Sequence, residues 1–232
     1  TGPSEKNAKR FQRRLARTRY KEHTTIVPTR HAGHAEELAQ DIANRDARPL
    51  IISSSGDGGY NEVINGVLNA KGADSAVTGL LPSGNANDHY KQMHKPYVIR
   101  QILQAKAQNI DTLKLTAHVN GKPWHRYAHS YIGFGLTSDI GQALNDADLN
   151  SKNEAVIFMK TLIKVKPFSV VMKGEISEFS NIILSNVGKM SKIFSLSKTA
   201  RVDDGKFEVF TTDQNRAKLI REMLKSATVG VP

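Results

Sequence analysis

The sequence predicts two domains, an N-terminal α/β domain over residues 1–110 and a mainly antiparallel β domain over residues 111–232. In the first part, strand-like and helix-like segments alternate, which is typical of a parallel sheet with helices on its faces. In the second part, strand-like segments follow one another, and Asn120-Gly121 joins two of them as a tight hairpin turn would. A chain of 232 residues is long enough to bury a core in each part.

Apolar periodicity predicts the individual elements of the first domain. Short β-branched or apolar runs predict strands at 24–27, 49–53 and 76–81. Apolar residues at helical spacing predict helices at 34–43, 61–70 and 97–107.

The second domain is predicted in the same way. Strands are expected at 112–119, 124–132, 168–172, 181–186 and 206–211. Helices are expected at 139–149, 154–165 and 214–225.

The charge of the chain is concentrated at its beginning. The formal net charge is +11, and residues 1–21 hold eight lysine and arginine residues against one glutamate. Phe11, Leu15 and Thr18 recur there at helical spacing, so the stretch is either a helix with a solvated basic face or one that contacts phosphates or an anionic membrane. Aromatic residues make up only 6% of the chain, which argues against nucleic acid as a partner. The absence of cysteine excludes disulfides, a thiol nucleophile and cysteine-ligated metals.

A glycine-rich turn follows the strand predicted at 49–53. The letters SSSGDGGYNEV occupy positions 53–63, so a buried strand leads into glycines and then into a helix. Backbone N–H groups at such a helix start can face a phosphate, and glycine lets the phosphate approach closely. Asp57 would repel a phosphate, so it orients a base, binds a hydroxyl, engages Mg²⁺ or simply caps the turn.

Two further segments carry polar side chains in similar positions. The letters LLPSGNAND at 80–88 follow the next predicted strand, and loops after neighbouring parallel strands gather at one sheet edge. The letters RVDDGKFEV at 201–209 place adjacent carboxylates before a glycine and an alternating strand. Taken alone, this last segment is typical of a structural turn.

Together, the three segments resemble the diacylglycerol kinase catalytic-domain superfamily, whose members include bacterial diacylglycerol kinases and, as relatives, sphingosine and ceramide kinases. The family's GGDGT motif with its following NEVxNG is similar to SGDGGYNEVING at 55–66. Its LPxGTxND motif is similar to LPSGNAND at 81–88, and its late DDGx(L/F) motif to DDGKF at 203–207. A family threonine before a Gly-x-Ala helix resembles Thr29, and YIGFG at 131–135 is also family-like.

The resemblance implies an ATP- and Mg²⁺-dependent lipid kinase, with diacylglycerol as the expected substrate. It implies an NAD-kinase-like first domain and a β-sandwich second domain, with the substrates in the cleft between them. Asp204 matches the general base of the bacterial enzymes, with Asp57 and Asp88 in a supporting charge network, whereas sphingosine kinases assign the base to the position of Asp57. The residues that match family positions near the nucleotide are Thr29, Gly56, Asp57, Gly58, Gly59, Asn61, Glu62, Ser83, Gly84 and Asn85.

Some residues depart from the family pattern. Ser55 replaces its first glycine, and Gly59 and Asn85 replace threonines, so two hydroxyls that could bind phosphate are absent. The family's opening strand and its final strands are mostly lacking, so both domains are expected to be clipped at the termini. The histidines, among them His129, are interpreted as ordinary surface or cleft side chains without a catalytic or metal-binding role.

Two alternatives to a lipid kinase remain open at this stage. One is an NAD kinase-like enzyme, and the other is a non-catalytic module that binds anionic membranes or nucleotides through its basic helix. For the kinase we expect a cytoplasmic protein associated peripherally with an anionic membrane surface, where its lipid substrate resides. A homodimer is also left open.

Overall fold

The computed structural model describes residues 2–93, 106–145, 156–157, 160–162, 164–190 and 194–212. The chain divides into two compact units, Thr1–His129 and Ser130–Pro232. The helix predicted at 214–225 lies outside the described residues. So does most of the helix predicted at 97–107, of which residues 106 and 107 are coil.

The first unit alternates helices and strands, as predicted. Its helices and strands, in chain order, are α1 (Pro3–Leu15), α2 (His34–Arg45), β1 (Leu50–Ser55), α3 (Asp57–Leu68), β2 (Val77–Pro82), α4 (Asp88–Gln92), β3 (Leu113–Val119) and β4 (Lys122–Ala128), with short 3₁₀ turns at Lys21–His23 and Ala73–Ser75. Strands β1 and β2 pair in parallel, from Leu50 opposite Val77 to Ser55 opposite Pro82. This register brings the carboxyl ends of both strands to the same edge.

Helices α2 and α3 form the core of the first unit with the parallel strands. Ala39 and Ala43 of α2 are buried against Val63 and Val67 of α3. A Cβ added at Gly66 would lie 2.9 Å from the Ala39 Cβ, so glycine permits the close crossing of the two helices. The other side of α3 packs through Tyr60 and Ile64 against Leu80 of β2, which fixes the first turn of α3 against the sheet.

One predicted strand of this unit is wrong. Residues 24–27 are coil, and Ile26 and Val27 remain 38% and 48% exposed. β-Branched residues favour a strand only where a neighbouring strand supplies hydrogen bonds and an apolar face. Among the described residues, β1 and β2 form a sheet of two strands, and neither pairs with this segment.

The β3–β4 hairpin lies in the first unit, so the observed division falls after His129 and the sequence placed its boundary after residue 110. Asn120 and Gly121 adopt the positive φ angles of 52° and 75° that a two-residue hairpin turn requires, as expected. The hairpin is tied to α3 because Asn65, which is 1% exposed, hydrogen bonds through its side chain to both the backbone N–H and the carbonyl of Tyr127.

The second unit is built from antiparallel strands, which confirms the predicted fold class. Its elements are β5 (Tyr131–Gly135), α5 (Leu136–Asn145), β6 (Phe168–Met172), β7 (Glu175–Phe179), β8 (Asn181–Ser185), β9 (Lys189–Met190), β10 (Phe194–Ser195) and β11 (Glu208–Thr212). Strand β8 is the centre of a three-stranded sheet between β5 and β11. Residues 156–157, 160–162 and 164 are helical, within the helix predicted at 154–165.

Helix α1 carries the basic face that the sequence predicts. All eight lysine and arginine residues within 1–21 are exposed, and five of them lie on α1. Leu15 of the same helix is buried. Lys9 forms an ion pair with Glu5. Within the described part of the chain, no helix combines the length and the apolar character needed to cross a bilayer.

Candidate active site

Two loops meet at the carboxyl ends of the parallel strands. The first loop, residues 55–59, follows β1, and the second loop, residues 82–88, follows β2. Gly56 and Gly84 touch backbone to backbone, since a Cβ added at Gly56 would lie 2.9 Å from the Gly84 Cα. Ser83 donates its backbone N–H to the Ser55 carbonyl at 2.8 Å. Glycines at 56 and 84 are therefore needed for the two loops to form one continuous surface.

Asp57 connects the two loops through its side chain. One carboxylate oxygen accepts the backbone N–H of Asp88 at 3.0 Å and the other accepts that of His89 at 3.1 Å. The sequence left open whether Asp57 caps a turn or engages a ligand, and in the structure its carboxylate caps α4. Asp88, expected in a supporting charge network, is only 3% exposed and begins α4.

The first loop presents the start of α3. Asp57 is the first helical residue, and the first N–H groups of an α-helix have no acceptor within the helix. The position of a Cβ at Gly58 has no atom within 4 Å, so this glycine borders open space. An anion placed there would meet unpaired N–H groups and the positive end of the helix dipole.

Ser55 and Gly59, two residues that depart from the family pattern, lie directly next to each other. A Cβ added at Gly59 would lie 2.8 Å from both the Cβ and the Oγ of Ser55. The Ser55 side chain thus occupies space that a threonine at 59 would need. Its hydroxyl lies 2.7 Å from that of Ser53 and donates to the Gly56 carbonyl.

Helix α1 is anchored beside these loops. Asn7 donates through its side-chain amide to the Pro82 carbonyl at 3.1 Å and to the Ser83 hydroxyl at 2.9 Å. Ser54 donates its hydroxyl to the Ser4 carbonyl at 2.7 Å. The basic helix and the two loops therefore belong to one continuous part of the first unit.

Other residues matched to the nucleotide make structural hydrogen bonds. Glu62 accepts the backbone N–H of Gly33 at 3.0 Å, which ties the start of α2 to α3. Asn61 donates to the Tyr127 carbonyl and accepts the N–H of His129. Thr29 lies in exposed coil, and Asn85 is exposed in the second loop. The structure gathers Gly56, Asp57, Gly58, Gly59, Ser83, Gly84, Asn85 and Asp88 at one sheet edge, whereas Thr29 lies in the exposed coil before α2.

Buried rings lie directly behind the loops. Tyr60, His89 and His129 are each at most 4% exposed, and their ring centroids lie 4.5–5.3 Å apart. We call these three side chains the ring cluster. Burial lowers the pKa of His89 to about 3, and burial also lowers the pKa of His129, so both imidazoles are neutral at pH 7. The interpretation of His129 as a surface or cleft side chain is therefore wrong.

Asp204 lies in the second unit, on an exposed turn before β11. Its Oδ1 accepts the backbone N–H of Lys206 at 3.1 Å, and Gly205 supplies the positive φ of 69° that closes the turn. The neighbouring Asp203 pairs with the Arg201 guanidinium at 3.2 Å. Asp204 borders a groove of about 320 Å³, lined by Ser185, Thr199, Ala200, Arg201, Asp204, Lys206, Phe207 and Glu208.

His31, His34 and Glu37 approach one another more closely than the sequence indicated, with one potential ligand atom from each within 4.8 Å of the others. The Nδ1 of His34, however, accepts the Arg30 backbone N–H at 3.0 Å. The His34 proton therefore sits on Nε2, and no second lone pair of that ring is available. The cluster also lies at the first turn of α2, where the helix dipole disfavours a cation.

Comparison with known proteins identifies the relatives of the chain. The diacylglycerol kinase catalytic domain family model matches residues 1–115. A diacylglycerol kinase of Bacillus subtilis is 27% identical over 211 residues, covering 85% of this chain and 66% of that protein. A diacylglycerol kinase of Staphylococcus carnosus is 25% identical over 217 residues, covering 89% and 68%. The chain thus spans about two thirds of the length of these relatives.

Solved structures agree with this on the fold. The crystal structure of a diacylglycerol kinase from Bacillus anthracis superposes with a TM-score of 0.60 at 18% identity, covering 88% of this chain and 67% of that one. A shorter sequence match is to a lipid kinase of another kind. A 65-residue stretch is 42% identical to sphingoid long-chain bases kinase 1 of Arabidopsis thaliana, covering 27% of this chain and 8% of that protein. Through residues 1–115, just under half of its length, the chain matches the diacylglycerol kinase catalytic-domain family.

Proposed function

We propose that the protein is an ATP-dependent lipid kinase that transfers the γ-phosphoryl group to a lipid hydroxyl, with diacylglycerol as the preferred acceptor. The observation that carries the proposal is the joining of the two glycine-containing loops by Asp57 at the edge of the parallel sheet. The match of residues 1–115 to the diacylglycerol kinase catalytic-domain family supports the same activity.

The first loop suits the phosphates of ATP. Gly58 borders open space at the start of α3, where the first N–H groups of the helix have no acceptor within the helix. Ser83 and Asn85 add side-chain donors from the second loop. Mg²⁺ would arrive with the nucleotide phosphates and need only one or two carboxylates of the protein, and Asp57 is the carboxylate that lies within the first loop.

Asp204 suits the general base. Its Oδ1 accepts a hydrogen bond from the turn, and within the described residues its Oδ2 has no hydrogen-bond partner. In the reaction, the substrate hydroxyl oxygen forms a bond to the γ-phosphorus as the bond to the β-phosphate oxygen breaks. Asp204 takes the hydroxyl proton, and ADP leaves. Arg201 and Lys206 line the same groove and would stabilise the negative charge of the transferring group.

The activity is tested with radiolabelled ATP, Mg²⁺ and a panel of acceptors. We expect labelled product with diacylglycerol, less with other lipid alcohols and none with NAD. A sphingoid base as the sole lipid acceptor would change the substrate class, and labelling of NAD alone would indicate the NAD kinase alternative. No transfer to any acceptor, under conditions in which the B. subtilis relative is active, would refute the kinase proposal and leave the non-catalytic module.

We also propose that α1 brings the enzyme to an anionic membrane surface. Its cationic side chains, Lys6 and Arg10 among them, are exposed, while Asn7 of the same helix is bonded to the second loop. A polybasic surface gains about 1 kcal/mol per lysine or arginine near an anionic bilayer. Docking through α1 would place the nucleotide loops next to the layer that contains the substrate.

Charge reversal on α1 should weaken vesicle binding. The triple variant Arg10→Glu, Arg13→Glu, Arg14→Glu should bind phosphatidylglycerol vesicles at least roughly tenfold more weakly than wild type in sedimentation assays. A matched triple variant at other exposed lysines, Lys71→Glu, Lys106→Glu, Lys122→Glu, has the same net charge. An equal loss in both variants would show that overall charge, and not α1, governs binding.

A further inference from the structure

The ring cluster is attached to Asp57 from two directions. The Asp57 carboxylate accepts the backbone N–H of His89, whose ring packs edge-on against that of His129 with centroids 4.5 Å apart. The Nε2–H of His129 donates to the Asp57 carbonyl at 3.1 Å. The chain of contacts therefore closes on itself, from the Asp57 carboxylate through two histidines and back to the Asp57 backbone.

This closed set of contacts spans both loops. Asp57 belongs to the first loop, and His89 follows the second loop directly. His129 comes from the chain after β4 and is itself held by the side chain of Asn61. Tyr60 completes the ring cluster and is fixed to β2 by a hydrogen bond of its hydroxyl to Thr78 at 2.9 Å. All of these side chains are in the first unit, and each histidine is at most 3% exposed.

Histidine is a costly choice for such a position. The Nδ1 of His89 is buried and has no hydrogen-bond partner in the part of the chain that the structure describes. An apolar ring would fill the same space without a buried polar atom that lacks a partner. A buried polar group of this kind in a well-packed region is a candidate for a functional role.

We propose that His89 and His129 are positioning residues, which hold the first loop against the second loop so that the backbone N–H groups at the start of α3 are fixed before a nucleotide arrives. The role in nucleotide binding rests on the proposed function. The holding of Asp57 is a property of the protein without ligand. The specific element is the hydrogen bond from His129 to the Asp57 carbonyl, since it reaches the backbone of the first loop from the β4 end.

The test compares two substitutions of His129 in the full chain. His129→Leu keeps a buried side chain but removes the donor, whereas the side-chain amide of His129→Gln can still donate to the Asp57 carbonyl. His118→Gln, at an exposed histidine, is the control. Amide exchange at Asp88 and His89 is followed by NMR without nucleotide, and ATP binding is measured by calorimetry with Mg²⁺.

In His129→Leu, amide exchange at both positions should become about five- to tenfold faster and the Kd for ATP about five- to tenfold higher, as expected for one lost hydrogen bond. His129→Gln should restore most of both losses. A folded His129→Leu protein with wild-type exchange and wild-type Kd would overturn the proposal.

Two further readouts keep the outcomes separate. If wild type binds no ATP, the proposed function fails while amide exchange still decides whether His129 holds Asp57. If His129→Leu does not fold, ¹⁵N shifts of the wild-type imidazoles decide instead. A neutral His129 with its proton on Nε2 supports the proposal, and a charged ring or a proton on Nδ1 would overturn it.

Discussion

Replacing Asp204 by asparagine should lower the turnover number of lipid phosphorylation by roughly 10²–10⁴-fold, the usual contribution of a general base. Asparagine has nearly the same shape, and its side-chain oxygen can still accept the Lys206 N–H that closes the turn. The fold and the KM for ATP should therefore change little. Steady-state kinetics with diacylglycerol, together with a circular dichroism melt, measure both.

Asp203 provides the matched control because it is adjacent, equally exposed and also acidic. Asp203→Asn loses an exposed ion pair with Arg201, which is worth about 0–1 kcal/mol, and should keep turnover within a few-fold of wild type. Asp57→Asn separates the two possible bases. Since the Asp57 carboxylate accepts two backbone N–H groups from α4, this substitution should mainly raise the KM for ATP. A large loss of turnover in Asp57→Asn, with normal turnover in Asp204→Asn, would make Asp57 the base.

The elements that the sequence predicted correctly have strong local signals. β1 and β2 each contain a short apolar run and end at Ser55, before Gly56, and at Pro82, and the β3–β4 turn is set by Asn120-Gly121. The meeting of the two loops could also be expected, since loops after neighbouring parallel strands share an edge. Local signals suffice here because the chemistry of each turn is contained in two or three residues.

Other features depend on residues distant in sequence. The helix predicted from residue 61 begins at Asp57, so the glycines at 58 and 59 that indicated a loop lie in its first turn, and Asp57 there accepts a backbone N–H from the distant α4. The segment at 124–132 divides into β4 and β5, because Ala128 ends the pairing with β3 and Tyr131 begins a pairing with β8. The Asn120-Gly121 turn indicates β3 as the partner of β4, but nothing in the local pattern indicates β8 as the partner of β5.

The ring cluster shows the same limit for a candidate site. His89 and His129 are 40 positions apart and lie on no shared periodic face, so nothing in the sequence indicated that both are buried. Both rings pack on Tyr60, which the packing of α3 on β2 fixes in the interior. A useful signal is the histidine directly after the LPSGNAND segment, which is buried together with Asp88 at the start of α4.

Between pH 6.5 and pH 5, the stability of wild type should fall as the pH is lowered, and His89 should account for part of that fall. Burial holds the pKa of His89 near 3 in the folded protein, whereas an unfolded histidine titrates near 6.5. The unfolded state therefore binds more protons within this window. The stabilisation is complete above pH 6.5 and is lost toward pH 3, by up to about 1.4 kcal/mol per pH unit.

Urea unfolding at several pH values measures the slope of the free energy of unfolding against pH. Keeping the measurements above pH 5 limits the contribution of carboxylates to that slope. His89→Gln should reduce the slope whatever its stability at pH 7, because only the titrating group has been removed. His118 is an exposed histidine on β3, and the control variant His118→Gln should leave this slope unchanged. An unchanged slope in His89→Gln would show that His89 does not resist protonation. In wild type, the His89 ring should not titrate by NMR above pH 5, so titration near pH 6.5 would contradict the burial directly.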